Sequence, residues 1–209
     1  MQTRRSMWTV ALVMVLPLTS ALVTMHAADP KSTVEQIRTE LMQLPYYGVF
    51  DFLAFSYDRG TATLAGDAYA LGLKKDAERA VKRVAGVDTV VNHIEELPPN
   101  TTDDEIRWAT YYKIYRDPFL ARYAPGGGML WGHRHAYGGP FRPYGGAFPG
   151  LEPAGDYPIH IIVKNGRVTL LGIVDTESDK TVAGTRTREV PGTFGVDNQL
   201  VVESDKKTR

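Results

Sequence analysis

Leu53-Ala-Phe-Ser-Tyr-Asp-Arg-Gly-Thr-Ala-Thr-Leu-Ala-Gly66 and Ile159-His-Ile-Ile-Val-Lys-Asn-Gly-Arg-Val-Thr-Leu-Leu-Gly172 are two versions of one segment. Leu53, Phe55 and Tyr57 lie over Ile159, Ile161 and Val163, and that period of two is the signature of a strand with one apolar face. The first strand is expected over Val49–Tyr57. Asp58-Arg59-Gly60 and Lys164-Asn165-Gly166 turn the chain, and Asn-Gly between apolar runs is a strong hairpin signal. The return strands carry Ala62 and Leu64 in one copy and Val168 and Leu170 in the other, with Gly66 and Gly172 expected to close them.

The correspondence extends without gaps over residues 53–97 and 159–203, at a constant offset of 106. Ten of those 45 positions are identical, among them Gly60/Gly166, Leu64/Leu170, Gly66/Gly172, Ala77/Ala183, Val84/Val190 and Asn92/Asn198. Turn glycines and apolar residues dominate the set. The repeat therefore duplicates a way of packing and contains no cluster of acids, bases or nucleophiles.

Helices are expected on either side of each hairpin. Val34, Ile37, Leu41 and Leu44 are spaced for one helical face, with Ser32 or Thr33 as cap and Pro45 as stop. After the first hairpin, Leu73, Ala77, Ala80, Val81 and Val84 form a second apolar stripe. Its counterpart in the second copy has weaker helix propensity because of Gly184, Thr185 and Thr187. Gly86 and Pro191-Gly192 end the two helices. A last strand then alternates through Val90, Asn92 and Ile94, and later through Val196, Asn198, Leu200 and Val202. Asp103-Asp104-Glu105 suits the start of the first helix of copy two.

The fold class expected is α+β: two αββαβ units, each a small mixed three-stranded sheet with helices packed on one face. The first unit is assigned to residues 31–97, a stiff linker to 98–102, and the second unit to 103–204 with an insertion at 118–156.

The chain has 24 Lys+Arg against 24 Asp+Glu and no cysteine. A neutral balance gives no general attraction to nucleic acid, and none is expected as a partner. The missing cysteine excludes disulfides, thiol catalysis and a cysteine-borne lipid anchor. Arg4 and Arg5 precede an apolar stretch, Trp8–Val23, interrupted by Pro17. Residues 1–28 are read as a secretory signal or a retained N-terminal anchor. Thr19-Ser20-Ala21 fits a cleavage site better than Ala27-Ala28 does. Export places the protein in the periplasm or outside the cell.

Within Ala124–Pro158 lie ten of the 20 glycines and six of the 13 prolines, interspersed with Trp131, Tyr137, Phe141, Tyr144, Phe148 and Tyr157. Such composition resists helix and sheet. Two readings stand: an adaptable aromatic arm that touches a lipid interface or a partner, and a tolerated loop that packs a few rings on its own domain. A second candidate contact is the basic helix face of Lys74, Lys75, Arg79, Lys82 and Arg83, which suits acidic head groups, although Asp76 and Glu78 dilute it and a solvated surface also explains it. His133 and His135 flank Arg134 with no third ligand nearby, so no metal site is expected. Asn92 and Asn198 are expected to satisfy local backbone groups. No nucleophile–base pair or phosphate loop is evident, and neither a cofactor nor catalysis is expected.

The element order, the glycine after the second strand, the mid-helix alanine and the endings Val84-Ala-Gly-Val-Asp-Thr-Val-Val-Asn92 and Val190-Pro-Gly-Thr-Phe-Gly-Val-Asp-Asn198 resemble the BON domain family of bacterial osmotically inducible and nodulation proteins. The resemblance covers about residues 31–204 apart from the insertion. It implies a non-enzymatic periplasmic or outer-membrane-associated protein whose tandem modules contact phospholipid or an envelope protein, in envelope maintenance or osmotic stress. It carries over no catalytic residue. A chaperone-like protein that holds clients through the aromatic insertion is the alternative. The chain departs from some tandem relatives in lacking a lipidated cysteine and in the length of its insertion.

Overall fold

Both quoted segments fold as hairpins on backbones that only a few residue types accept. In the computed structural model, which describes residues 30–124, 152–154 and 157–203, the chain runs α1 (Pro30–Met42), β1 (Phe52–Asp58), β2 (Thr61–Ala68), α2 (Leu73–Val81), β3 (Thr89–Glu96) and α3 (Thr101–Tyr115). A short 3-10 turn (Ala121–Tyr123) follows, then β4 (Glu152–Ala154), β5 (Ile159–Lys164), β6 (Arg167–Val174), α4 (Glu177–Arg188), β7 (Gly195–Asn198) and β8 (Val201–Val202). Residues 1–28, expected from the sequence to be a signal or an anchor, lie outside the described residues, as do residues 125–151.

Each hairpin turns through two residues of positive φ: Arg59 (43°) and Gly60 (82°), then Asn165 (52°) and Gly166 (73°). That geometry matches the right-handed twist of the paired strands. β2 pairs with β1 antiparallel and with β3 parallel, and β6 pairs in the same two senses with β5 and β7. The crossover helices α2 and α4 return the chain to the sheet.

Gly66 and Gly172 do not close their strands, contrary to the expectation from sequence. They sit inside β2 and β6, paired with Leu53 and Ile159. A Cβ on Gly66 would lie 1.9 Å from the Phe52 carbonyl oxygen, and one on Gly172 would lie 2.1 Å from that of Pro158. The glycine lets the neighbouring backbone approach more closely than any side chain would permit.

The helices cover one face of each sheet. Ile37 and Leu41 of α1 and Leu73, Ala77 and Val81 of α2 pack on Leu53, Phe55, Leu64 and Ile94. Ile106 and Ile114 of α3 and Ala183 of α4 pack on Ile159, Ile161, Val163 and Leu170. Asn92 and Asn198 tie helix to sheet in the same way. Their amides donate to the carbonyls of Lys74 (2.9 Å) and Lys180 (2.7 Å). Each side-chain oxygen also accepts from the amide two residues on. They thus satisfy local backbone, and they bridge to the helix as well.

Several boundaries differ from expectation. α1 starts before Ser32, and Thr33 is buried, its hydroxyl donating to Ala85 O at 3.2 Å instead of capping. β1 starts at Phe52 because Asp51 ends the preceding segment, its carboxylate accepting from the amides of Gly48, Tyr69 and Ala70. α3 starts at Thr101, and its cap is Asn100, whose side chain accepts from Thr102 N and Asp103 N. Asp103 is left to bond elsewhere. It accepts from Asn165 N (2.9 Å) and Gly166 N (2.7 Å) and so pins the second hairpin turn to α3.

The two units are interlocked through their helix-free faces. Phe52 and Ala54 of β1 meet Ile162 of β5 and Leu171 of β6, with Leu97 closing the cluster. Val49 O accepts from Ile161 N at 2.8 Å, and Val49 and Phe50 enter the core of the second unit. In the other direction β4, from the insertion, pairs antiparallel with β1 and gives the first sheet a fourth strand in the order β3-β2-β1-β4.

Candidate functional site

The sequence candidates separate on the structure. Trp131, Tyr137, Phe141, Tyr144 and Phe148 lie outside the described residues, as do His133 and His135. The basic face of α2 is brought together but is largely neutralised. Arg79 pairs with Asp76, Lys82 with Glu78 at 2.6 Å, and Arg83 approaches Glu40 at 3.9 Å. The bond from Lys82, helped by Asn92, holds the Glu78 carboxyl below its usual range. Lys74 and Lys75 make no ion pair among the described residues, so the open positive charge of this face collects at the start of the helix. Among the described residues no group of three or more His, Asp or Glu side chains is placed to hold a metal ion.

A different surface stands out on α3. Trp108, Tyr111, Tyr112 and Tyr115 recur at spacings of three and four and so share one side of the helix. Phe50 of the first unit meets the stripe, with its ring centroid 5.0 Å from Trp108 and 6.1 Å from Tyr111. Tyr111 lies 4.9 Å from Tyr115, whose hydroxyl donates to Ile159 O at 2.6 Å and anchors the buried end. Trp108 and Tyr112 remain 49% and 45% exposed. The Arg116 guanidinium sits 4.4 Å from the Tyr112 ring centroid and adds a cation to the edge. This stripe is absent from the candidates named on sequence grounds, although its i, i+3, i+4, i+7 spacing was a readable signal. The aromatics of the glycine-rich insertion, more numerous and more conspicuous, stood in its place.

Arg107, on the same helix, is 1% exposed. Its Nη2 donates to Val163 O at 2.6 Å, Asp104 pairs with its Nη1, and its guanidinium lies 4.5 Å from the Tyr69 ring centroid. One side chain thus joins α3, β5 and the loop after β2.

Two titratable groups lie where the units meet. His160 is 1% exposed, with its ring against Phe52 (5.3 Å), Tyr157 (5.7 Å) and Tyr47 (5.9 Å). Burial pushes it down to about 4, against the pull of the Asp51 and Gly48 backbone. Asp67 is pushed up to about 6, chiefly by burial and then by Glu95, with Lys164 opposing. Lys164 in turn pairs with Glu95 across the units.

The family model for the BON domain matches residues 35–98 and 152–204, one match on each hairpin-bearing unit. The chain belongs to the BON domain family. No curated protein matches it. Among solved structures it is similar to the C-terminal domain of CdsD, the structural protein of the type III secretion system of Chlamydia trachomatis. That likeness has 12% identity over 83% of this chain and 98% of that one, with a TM-score of 0.27. A second CdsD structure is similar at 12% identity over 81% and 91% of the two chains, with a TM-score of 0.25. Membership of the BON family supports a non-enzymatic, envelope-related role, and BON proteins are typically periplasmic. No helix among the described residues is long and apolar enough to cross a membrane.

Proposed function

We propose that this BON protein is an exported, non-enzymatic envelope module that docks on phospholipid surfaces from the periplasmic side. The observation that carries the reading is the half-exposed pair Trp108 and Tyr112 on α3, bordered by Arg116. Indole and phenol rings favour the boundary between water and acyl chains, because one edge is apolar and the other hydrogen-bonds. Their backing is rigid: Phe50, Tyr111 and Tyr115 fill the space behind them. A rigid aromatic edge meets a bilayer with little loss of side-chain entropy.

The test is co-sedimentation of the full chain with phospholipid vesicles. The unaltered chain is expected to bind, and Trp108→Ser with Tyr112→Ser to weaken binding by about tenfold or more, since two interfacial rings are lost. Absence of vesicle binding by the unaltered chain overturns the reading. Recovery of the protein in the periplasmic fraction of a bacterial host tests the location.

A further inference from the structure

The two units make the same strand-to-helix junction in opposite ways. In the second, β6 passes into α4 through Asp175-Thr-Glu-Ser, and Thr176 and Asp179 form a capping box. Arg122 and Tyr123 close over Asp179. At the offset of 106 the first unit reads Tyr69-Ala-Leu-Gly72. Gly72 takes the cap position with φ 83°, and no side chain caps the helix. Leu71 stands where the second unit has Glu177, and Lys75 stands where it has Thr181. An acidic, closed junction is replaced by an apolar one; Lys74 has its counterpart in Lys180, so Lys75 is the cation that the first unit adds.

Leu71 is 89% exposed. A single exposed leucine is ordinary on a protein surface, but this loop is held in place. Asp51 accepts from Tyr69 N (2.7 Å) and Ala70 N (2.9 Å), and the same carboxylate accepts from Gly48 N (2.9 Å). Arg107 lies over the Tyr69 ring, and Phe50 touches Tyr69 at 5.8 Å and Trp108 at 5.0 Å. The loop is thereby fixed at Tyr69 and Ala70, just before Leu71, and packs against the same aromatic node as the α3 stripe. Lys74 and Lys75 follow within the first turn of α2 and make no ion pair among the described residues, although the charge of Lys74 is felt by Glu78. An apolar tip beside two ammonium groups that make no ion pair among the described residues is complementary to an anionic bilayer, where the side chain enters the interface and the cations meet phosphates.

We propose that the β2–α2 loop of the first unit is a second membrane-contact element, with Leu71 entering the interface of an anionic phospholipid bilayer and Lys74 and Lys75 at its head groups. The inference rests on the phospholipid reading above and adds an orientation to it: the loop and the α3 stripe face the same bilayer.

Vesicles of phosphatidylglycerol with phosphatidylcholine, and of phosphatidylcholine alone, separate the outcomes. The unaltered full chain is expected to prefer the anionic vesicles, and added salt to erase the preference. Lys74→Gln and Lys75→Gln are expected to weaken anionic binding by about fivefold each and leave neutral binding unchanged. Leu71→Ser is expected to weaken binding to both by about tenfold, and Leu71→Trp to show a blue-shifted emission with vesicles. If the unaltered chain binds neither vesicle, the phospholipid reading falls and this inference with it. If binding survives the loop variants yet is lost in Trp108→Ser, this inference alone is overturned. A change in sedimentation velocity with Leu71→Ser at unchanged vesicle affinity also overturns it, by making the loop a contact between copies.

Discussion

The first unit has a core of its own, whereas the second is completed by residues of the first. Every residue buried with Leu53 and Phe55 comes from α1, β1, β2, α2, β3 and the turn after α2. The second unit, by contrast, surrounds Val49 and Phe50, which belong to the segment leading into β1. Two copies of one ancestral packing scheme have thus become unequal partners: the helix-covered core of the first is its own, whereas that of the second includes residues of the first. The stripe on α3 depends on this crossing, because Phe50 is what stands behind Trp108.

The largest test of that asymmetry is Phe50→Ala. It is expected to cost about 4 kcal/mol, the usual scale for emptying a buried aromatic position. Although the residue precedes β1, hydrogen exchange should show protection lost first in α3 and β5. Loss beginning in β1 and β2 would break the comparison. Gly66→Ala and Gly172→Ala probe what the units still share. Each places a methyl group within 2.1 Å of a carbonyl oxygen, and each is expected to cost about 3 kcal/mol in urea unfolding. Equal losses sharpen the view that the strand geometry is duplicated; a harmless change in either unit would refute it for that unit.

The junction between the units should respond to pH through two opposed groups. His160 is held near 4 in the fold, below its ordinary 6.5, so the unfolded chain binds the extra proton between those values. Stability from its neutral ring is complete above pH 6.5 and is lost, by about 3 kcal/mol, as pH falls to 4. Asp67 is held near 6, above its ordinary 3.8, so here the folded chain binds the extra proton. Its ionisation lowers stability as pH rises from 4 to 6, by about 2 kcal/mol after allowance for partial exposure. The two slopes offset each other between pH 4 and 6. Asp67→Asn should therefore be more stable than the unaltered chain at pH 7, should lose that advantage by pH 4, and should show the uncompensated acid sensitivity of His160. A constant difference between the two proteins from pH 4 to 7 would contradict the assignment.

The hairpins and the order of elements were legible because period two and Asn-Gly are local signals. The weak propensity of the α4 segment was legible too, but it misled about the outcome: α4 spans 12 residues and α2 spans nine. The capping box at Thr176 and the bond from Thr187 Oγ1 to Ala183 O absorb polar groups that would otherwise disfavour the helix. Gly184 leaves room at the Asn198 amide, which a Cβ would approach to 2.7 Å. The basic face of α2 and its dilution by Asp76 and Glu78 were visible in the sequence, whereas the approach of Arg83 to Glu40 was not, since Glu40 comes from another helix.

The amino-acid order alone establishes that the fold is doubled, because a gapless offset preserves turn glycines and strand alternation wherever the copies sit. That the copies lock back to back, that Phe50 crosses into its neighbour, that β4 extends the first sheet and that Leu71 is left exposed are outcomes of three-dimensional packing. They depend on contacts between residues distant along the chain, and such contacts leave no period in the sequence to read.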